Sequence, residues 1–88
     1  MKYRLVADIY YGLFDGSACE TIKESDSLDE IESEFASASE RFSARHDKAE
    51  FSSCHLIATV IDDSGNDAWS SLSHNEQTRL ANLDISFE

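Results

Sequence analysis

The sequence predicts an α+β domain: one long helix packed on a face of a mainly antiparallel sheet, ordered β-β-α-β-β, then a short helix and a last strand. Three observations carry this. Between Ser27 and His46 apolar residues fall at Leu28, Ile31, Phe35, Ala38 and Phe42, in steps of three and four that place all five on one helical stripe. From Tyr3 to Leu13, and again from Phe51 to Ile61, apolar residues alternate with the period of a strand. Asp15-Gly16 marks a two-residue hairpin turn, because Gly tolerates positive φ and Asp does so at modest cost. The 88 residues make a single domain, 1–88, with room for one thin core.

The first strand directs Tyr3, Leu5, Ala7, Ile9, Tyr11 and Leu13 to the core and Arg4, Val6, Asp8 and Tyr10 to the other side. Closing the hairpin at Asp15-Gly16 pairs Ile9 with Ile22, Asp8 with Lys23 and Leu13 with Ala18, and leaves Glu20 opposite Tyr11 on the core side. Ser25-Asp26 turns the chain into the helix, where Ser27 and Glu30 have the spacing of a capping box. Arg45 continues the apolar stripe, its stem covering the core edge. Asp47 to Glu50 ends the helix without a glycine. Phe51–Ile61 is apolar on both faces from Leu56 onward, as a central strand is. Asp62 to Asp67 forms a turn, and Ala68–Leu72 returns as a fourth strand carrying Trp69. Ser73 and Glu76 form a second capping box, opening a helix that runs to Leu80 or Ala81. Leu83, Ile85 and Phe87 alternate as a last strand.

Charge is the strongest compositional signal. Eighteen acidic residues against seven basic give −11, beyond the magnitude of ~2–8 usual for a small soluble domain. Such a field repels nucleic acid and anionic membranes and attracts basic surfaces. No apolar run approaches the ~20 residues of a membrane span, and Met1-Lys2-Tyr3 does not open a signal peptide, so the expected location is cytoplasmic. Cys19 and Cys54 read as two reduced thiols.

No motif calls for catalysis, a cofactor or a metal. Cys54 and His55 are strand neighbours that point to opposite faces and do not pair with each other. Asp62, Asp63, Asn66 and Asp67 are hard oxygen ligands, but their spacing departs from a calcium loop, and a solvated turn accounts for them. Cys19, Cys54, His46 and His55 lack the close pairs of a zinc site. The informative cluster lies between Glu20 and Glu34, where seven of fifteen residues are acidic and only Lys23 opposes them. Asp29, Glu30, Glu32 and Glu34, with Asp26 ahead of them, present carboxylates at a spacing of ~5–6 Å that a Lys/Arg groove can read as phosphate. Tyr10 and Trp69 are the expected aromatic anchors beside them. The alternative is a solvated acidic helix end favoured by the dipole.

With its Asp15-Gly16 hairpin, the acidic helix from Ser27 and the strand Phe51–Ile61, the chain resembles the small acidic phage-encoded anti-CRISPR proteins, some of which are sheet-plus-helix domains that mimic DNA. The resemblance covers most of the chain as architecture and charge and includes no shared motif. It implies a non-enzymatic inhibitor, acting in the host cytoplasm, that occupies a basic surface of a CRISPR effector and blocks target DNA binding or activation. A second reading is a self-associating structural or regulatory domain, a homodimer joined through Val6, Tyr10, Ile57 and Ile61 on the back of the sheet, unless the second helix covers them.

Overall fold

Alternation in the sequence becomes burial in the sheet. The computed structural model describes all 88 residues and contains strands β1 (Lys2–Gly12), β2 (Gly16–Ser25), β3 (Ser53–Ile61) and β4 (Asp84–Phe87), with helices α1 (Leu28–Asp47) and α2 (His74–Ala81). The sheet is antiparallel throughout, in the order β2-β1-β3-β4. Tyr3, Leu5, Ala7 and Ile9 of β1 and Cys54, Leu56, Ala58 and Val60 of β3 are buried on one face. Both are inner strands, as the doubly apolar β3 sequence requires.

Helix α1 lays its predicted stripe on that face: Leu28, Ile31, Ala38 and Phe42 are buried, and Phe35 is partly so. Arg45 extends the stripe as expected, its guanidinium 4.8 Å from the Phe42 ring centre and 5.6 Å from that of Phe51. At the helix start the Ser27 hydroxyl accepts from the Glu30 N–H. The reciprocal half of the predicted box is diverted: the Glu30 carboxylate accepts from the Ser25 hydroxyl at 2.6 Å, and Ser25 Oγ takes the Ser27 N–H instead. At the other end Ala49 adopts φ 58°, with the Ala49 and Glu50 N–H groups donating to the His46 and Arg45 carbonyls. These are the paired bonds of a Schellman stop, built on alanine where glycine is usual.

Three expectations are corrected. The hairpin does not turn on Asp15-Gly16. Gly12 opposes Gly16, and Leu13, Phe14 and Asp15 form the loop, closed by the Asp15 N–H donating to the Gly12 carbonyl. Gly16, at φ +77°, is the left-handed residue after the turn rather than its second central residue. Ile9 therefore opposes Ala18, Asp8 opposes Cys19, and Glu20 opposes Ala7. The shift is an even number of residues, so each β2 residue up to Thr21 keeps its face, and Cys19, opposite Asp8, lies on the face away from the helix. A further irregularity lets Leu5 oppose Lys23 and Val6 oppose Thr21, with Ile22 as the extra residue between them.

Leu13, expected in the core, is instead 83% exposed at the hairpin tip beside Phe14 at 96%. Ala68–Leu72 is not a strand either. Asp67 bridges Ile61, and Trp69–Ser71 then makes one turn of 3₁₀ helix that carries Ala68 and Leu72 into the core. The second capping box is complete: Ser73 Oγ accepts from the Glu76 N–H, and the Glu76 carboxylate accepts from the Ser73 N–H.

Helix α2 lies on the same face as α1. Its Leu80 and the following Leu83 join the single core cluster, and the core-facing Tyr3 donates its hydroxyl hydrogen to Glu76 Oε2 at 2.8 Å. The opposite face of the sheet carries no helix.

Candidate functional site

The predicted acidic row is built by α1 and edited by its neighbours. Asp29, Glu30, Glu32 and Glu34 do project from the first two turns, but three of the four carry a cation. Arg79 of α2 reaches across to both Asp29 and Glu32, donating to Glu32 Oε2 from Nε at 3.2 Å. Held by these two carboxylates, the Arg79 guanidinium is driven further above its already high ordinary pKa. Arg41 donates to Glu34 Oε1 at 2.9 Å and to the Ser37 hydroxyl. Glu30 has no cation and accepts from Ser25. The row on α1 thus sets two cations against its four carboxylates, with Arg79 shared by two of them. Sequence reading missed Arg79 because 47 and 50 residues separate it from its partners.

A second group of carboxylates lies ahead of the helix. Asp26 is exposed and lines one hollow of about 260 Å³ with Asp62, Asp63, Met1 and Lys2. Asp63 is fully exposed, 3.7 Å from the terminal ammonium of Met1. Asp62 is an organiser as well as a charge, since its Oδ1 accepts from the Ser64 and Asn66 N–H groups and shapes the turn. Glu30 and the 86%-exposed Asp29 side chain belong to the same helix start. Across the whole surface six of the eighteen acidic side chains have a lysine, arginine or terminal-ammonium partner, which leaves the field strongly negative.

The two aromatic anchors lie elsewhere. Tyr10, 42% exposed, sits on the helix-free face of the sheet toward the hairpin end. Trp69, 39% exposed, borders a hollow at the β3 edge with Ile57, Thr59, Leu80 and Asp84. Neither is part of the acidic corner. The largest exposed apolar pair is Leu13 and Phe14, whose position depends on a loop length the sequence did not disclose.

On the helix-free face the ladder brings Cys19, Asp8, His55 and Ser86 into one row across all four strands, within a shallow hollow of about 430 Å³. The row does not assemble a nucleophile and base. A hydrogen bond to Asp8 pushes the Cys19 thiol above its ordinary pKa, the reverse of what activation needs. His55 Nε2 lies 2.5 Å from Asp84 Oδ1 on the far side of Asp8. Cys54 faces the core, where burial raises its thiol pKa, so the two cysteines lie on opposite faces and cannot share a zinc ion. No cluster of three or more His, Cys, Asp and Glu side chains has the geometry to hold a metal. No helix is long and apolar enough to cross a membrane. Comparison with protein-family models, curated proteins and solved structures finds no match to the chain.

Proposed function

We propose that this chain is a non-enzymatic inhibitor that binds a basic surface of a nucleic-acid-handling complex, in the manner of an anti-CRISPR protein blocking target DNA binding or effector activation. The observation that carries the reading is the charge surplus: −11 on a small domain, with Asp26, Asp62 and Asp63 lining one hollow ahead of the helix start. A Lys/Arg groove built for a phosphate backbone is complementary to such a corner, and long-range attraction speeds the encounter. Asp29, Glu32 and Glu34 contribute less than their number suggests, because Arg79 and Arg41 already occupy them. Tyr10 and Trp69 act through a second contact away from this corner.

The test uses purified CRISPR effector complexes, each assayed for target DNA binding with added protein at low and moderate salt. Support is inhibition that weakens with salt and is lost in the Asp26→Lys/Asp63→Lys variant while its circular dichroism is unchanged. Inhibition that survives this double charge reversal moves the contact off the acidic corner. No binding to any complex at either salt overturns the reading.

A further inference from the structure

The helix-free face has an arrangement of charge that fits a second copy of itself. We propose that two copies pack face to face through this surface, with their strands reversed, as a two-fold homodimer. The inference does not rest on the acidic corner, which lies at the helix start.

Along β1 the face reads Lys2, Arg4, Val6, Asp8, Tyr10: two cations, an apolar centre, then an anion and an aromatic ring. Beside them on β3 are Ile61, Thr59, Ile57, His55 and Ser53, with Ile57 directly opposite Val6. A two-fold axis lying along the Val6–Ile57 row reverses the strands of the second copy. Val6 and Ile57 then meet their own equivalents, Arg4 lies over Asp8 of the second copy, and Lys2 lies over its Tyr10 ring. An axis along β1, with strands running the same way, stacks Arg4 on Arg4 and Asp8 on Asp8. The reversed arrangement about the Val6–Ile57 row joins Arg4 to Asp8 instead.

Arg4 is prepared for this contact. Its Nε lies 3.3 Å from Glu24 Oε1 and its Nη2 donates to Thr21 Oγ1 at 3.1 Å, which ties the guanidinium to two side chains of β2. The area is that of a weak pair. Three strands ~4.8 Å apart and ~30 Å long, with the four-residue β4, offer about 500 Å² per copy, so a pair buries about 1,000 Å² in all, below the ~1,200 Å² of stable interfaces and in keeping with a reversible dimer. Packing two sheets at ~10 Å gives Val6, Ile57 and Ile61, half-buried now, the second layer they lack. Two effects oppose association: the −11 charge carried by each copy, and Asp84, which lies opposite Ile57 in the ladder so that the two Asp84 side chains fall close to the axis.

The test is sedimentation equilibrium over a concentration series at ~0.15 M ionic strength, where charges more than ~8 Å apart are largely screened. The expected result is a reversible dimer that Ile57→Lys abolishes. A lysine at that site stands beside Asp84 in the monomer, so the fold is retained, but it places two like charges at the centre of the dimer. Asp84→Asn should tighten association. The decisive arm is complementation: Arg4→Glu and Asp8→Arg are each monomeric alone, and an equimolar mixture recovers a heterodimer, because both cross-copy pairs are again unlike. A wild-type chain that stays monomeric throughout overturns the proposal. So does a dimer indifferent to Ile57→Lys, which places the interface elsewhere. If Arg4→Glu disturbs the fold beside Glu24, the Ile57→Lys and Asp84→Asn variants still decide the matter.

Discussion

Leu56 and Ile57 are sequence neighbours on β3 that report on the two faces of one sheet. Leu56 is fully buried under α1, whereas Ile57 is only partly covered and lies on the helix-free side. Leu56→Ala removes a side chain from the packed core and leaves a cavity, at a cost of about 3 kcal/mol. In Ile57→Ala solvent already reaches the site, so the loss is about 1 kcal/mol, the burial of a partly covered side chain with no cavity. For a domain of this size each kcal/mol moves the melting temperature by roughly 4–8 °C, so the expected drops are about 12–24 °C and about 4–8 °C. Total stability is on the order of 4–13 kcal/mol, so Leu56→Ala spends a large share of it. Thermal unfolding followed by circular dichroism, at concentrations low enough to keep the chain monomeric, measures both. Equal losses at the two positions would refute the one-sided core. A cost for Ile57→Ala that grows with protein concentration is the thermodynamic counterpart of the proposed dimer.

Three other outcomes follow from named contacts. Ala49→Gly relieves a left-handed alanine at the helix stop and should stabilise the chain by about 1 kcal/mol in chemical denaturation; a neutral or destabilising result removes the Schellman assignment. Hydrogen bonds from Tyr3 and Ser73 hold the Glu76 carboxyl below its ordinary pKa, so its stabilising contribution is present above the ordinary carboxylate range and lost as pH falls through the folded value. Tyr3→Phe should raise the Glu76 titration midpoint observed by NMR, and an unmoved midpoint contradicts the contact. Asp8→Asn should lower the Cys19 pKa and speed its reaction with a thiol reagent near pH 8, while Cys54 stays protected in both proteins; an unchanged Cys19 rate argues against the Asp8 hydrogen bond.

The elements legible in the sequence are those whose signal is local and repeated. Five stripe positions place α1, two alternating runs place the inner strands, and the Ser73/Glu76 spacing places α2. The hairpin register was not legible, because a glycine marks where a left-handed residue is needed and not how many residues precede it. Gly16 serves a loop of three as well as a turn of two. The 3₁₀ turn was misread because Ala68 and Trp69 to Leu72 are too few residues to distinguish two periods. Ala68 and Leu72, the buried pair, are in fact four apart. At the candidate site the acidic residues were visible and their compensation was not, since Arg79 and Asp29 are neighbours only after the sheet has formed.

The pairing of Arg79 with α1 also couples surface charge to local unfolding. The stretch from Asp62 through α2 is fastened to the rest by few apolar side chains, namely Ala68, Leu72 and Leu80, together with the Asp67–Ile61 bridge, the Ala68 N–H donating to the Val60 carbonyl, and the Tyr3–Glu76 and Arg79 contacts. It has the makings of the first cooperative unit to open, with α2 amides exchanging before those of β1 and β3. Each opening withdraws the one cation shared by Asp29 and Glu32 and lets the helix start display its full acidity. The electrostatic face of this molecule is then a population-weighted property, set by how often a two-turn helix lets go.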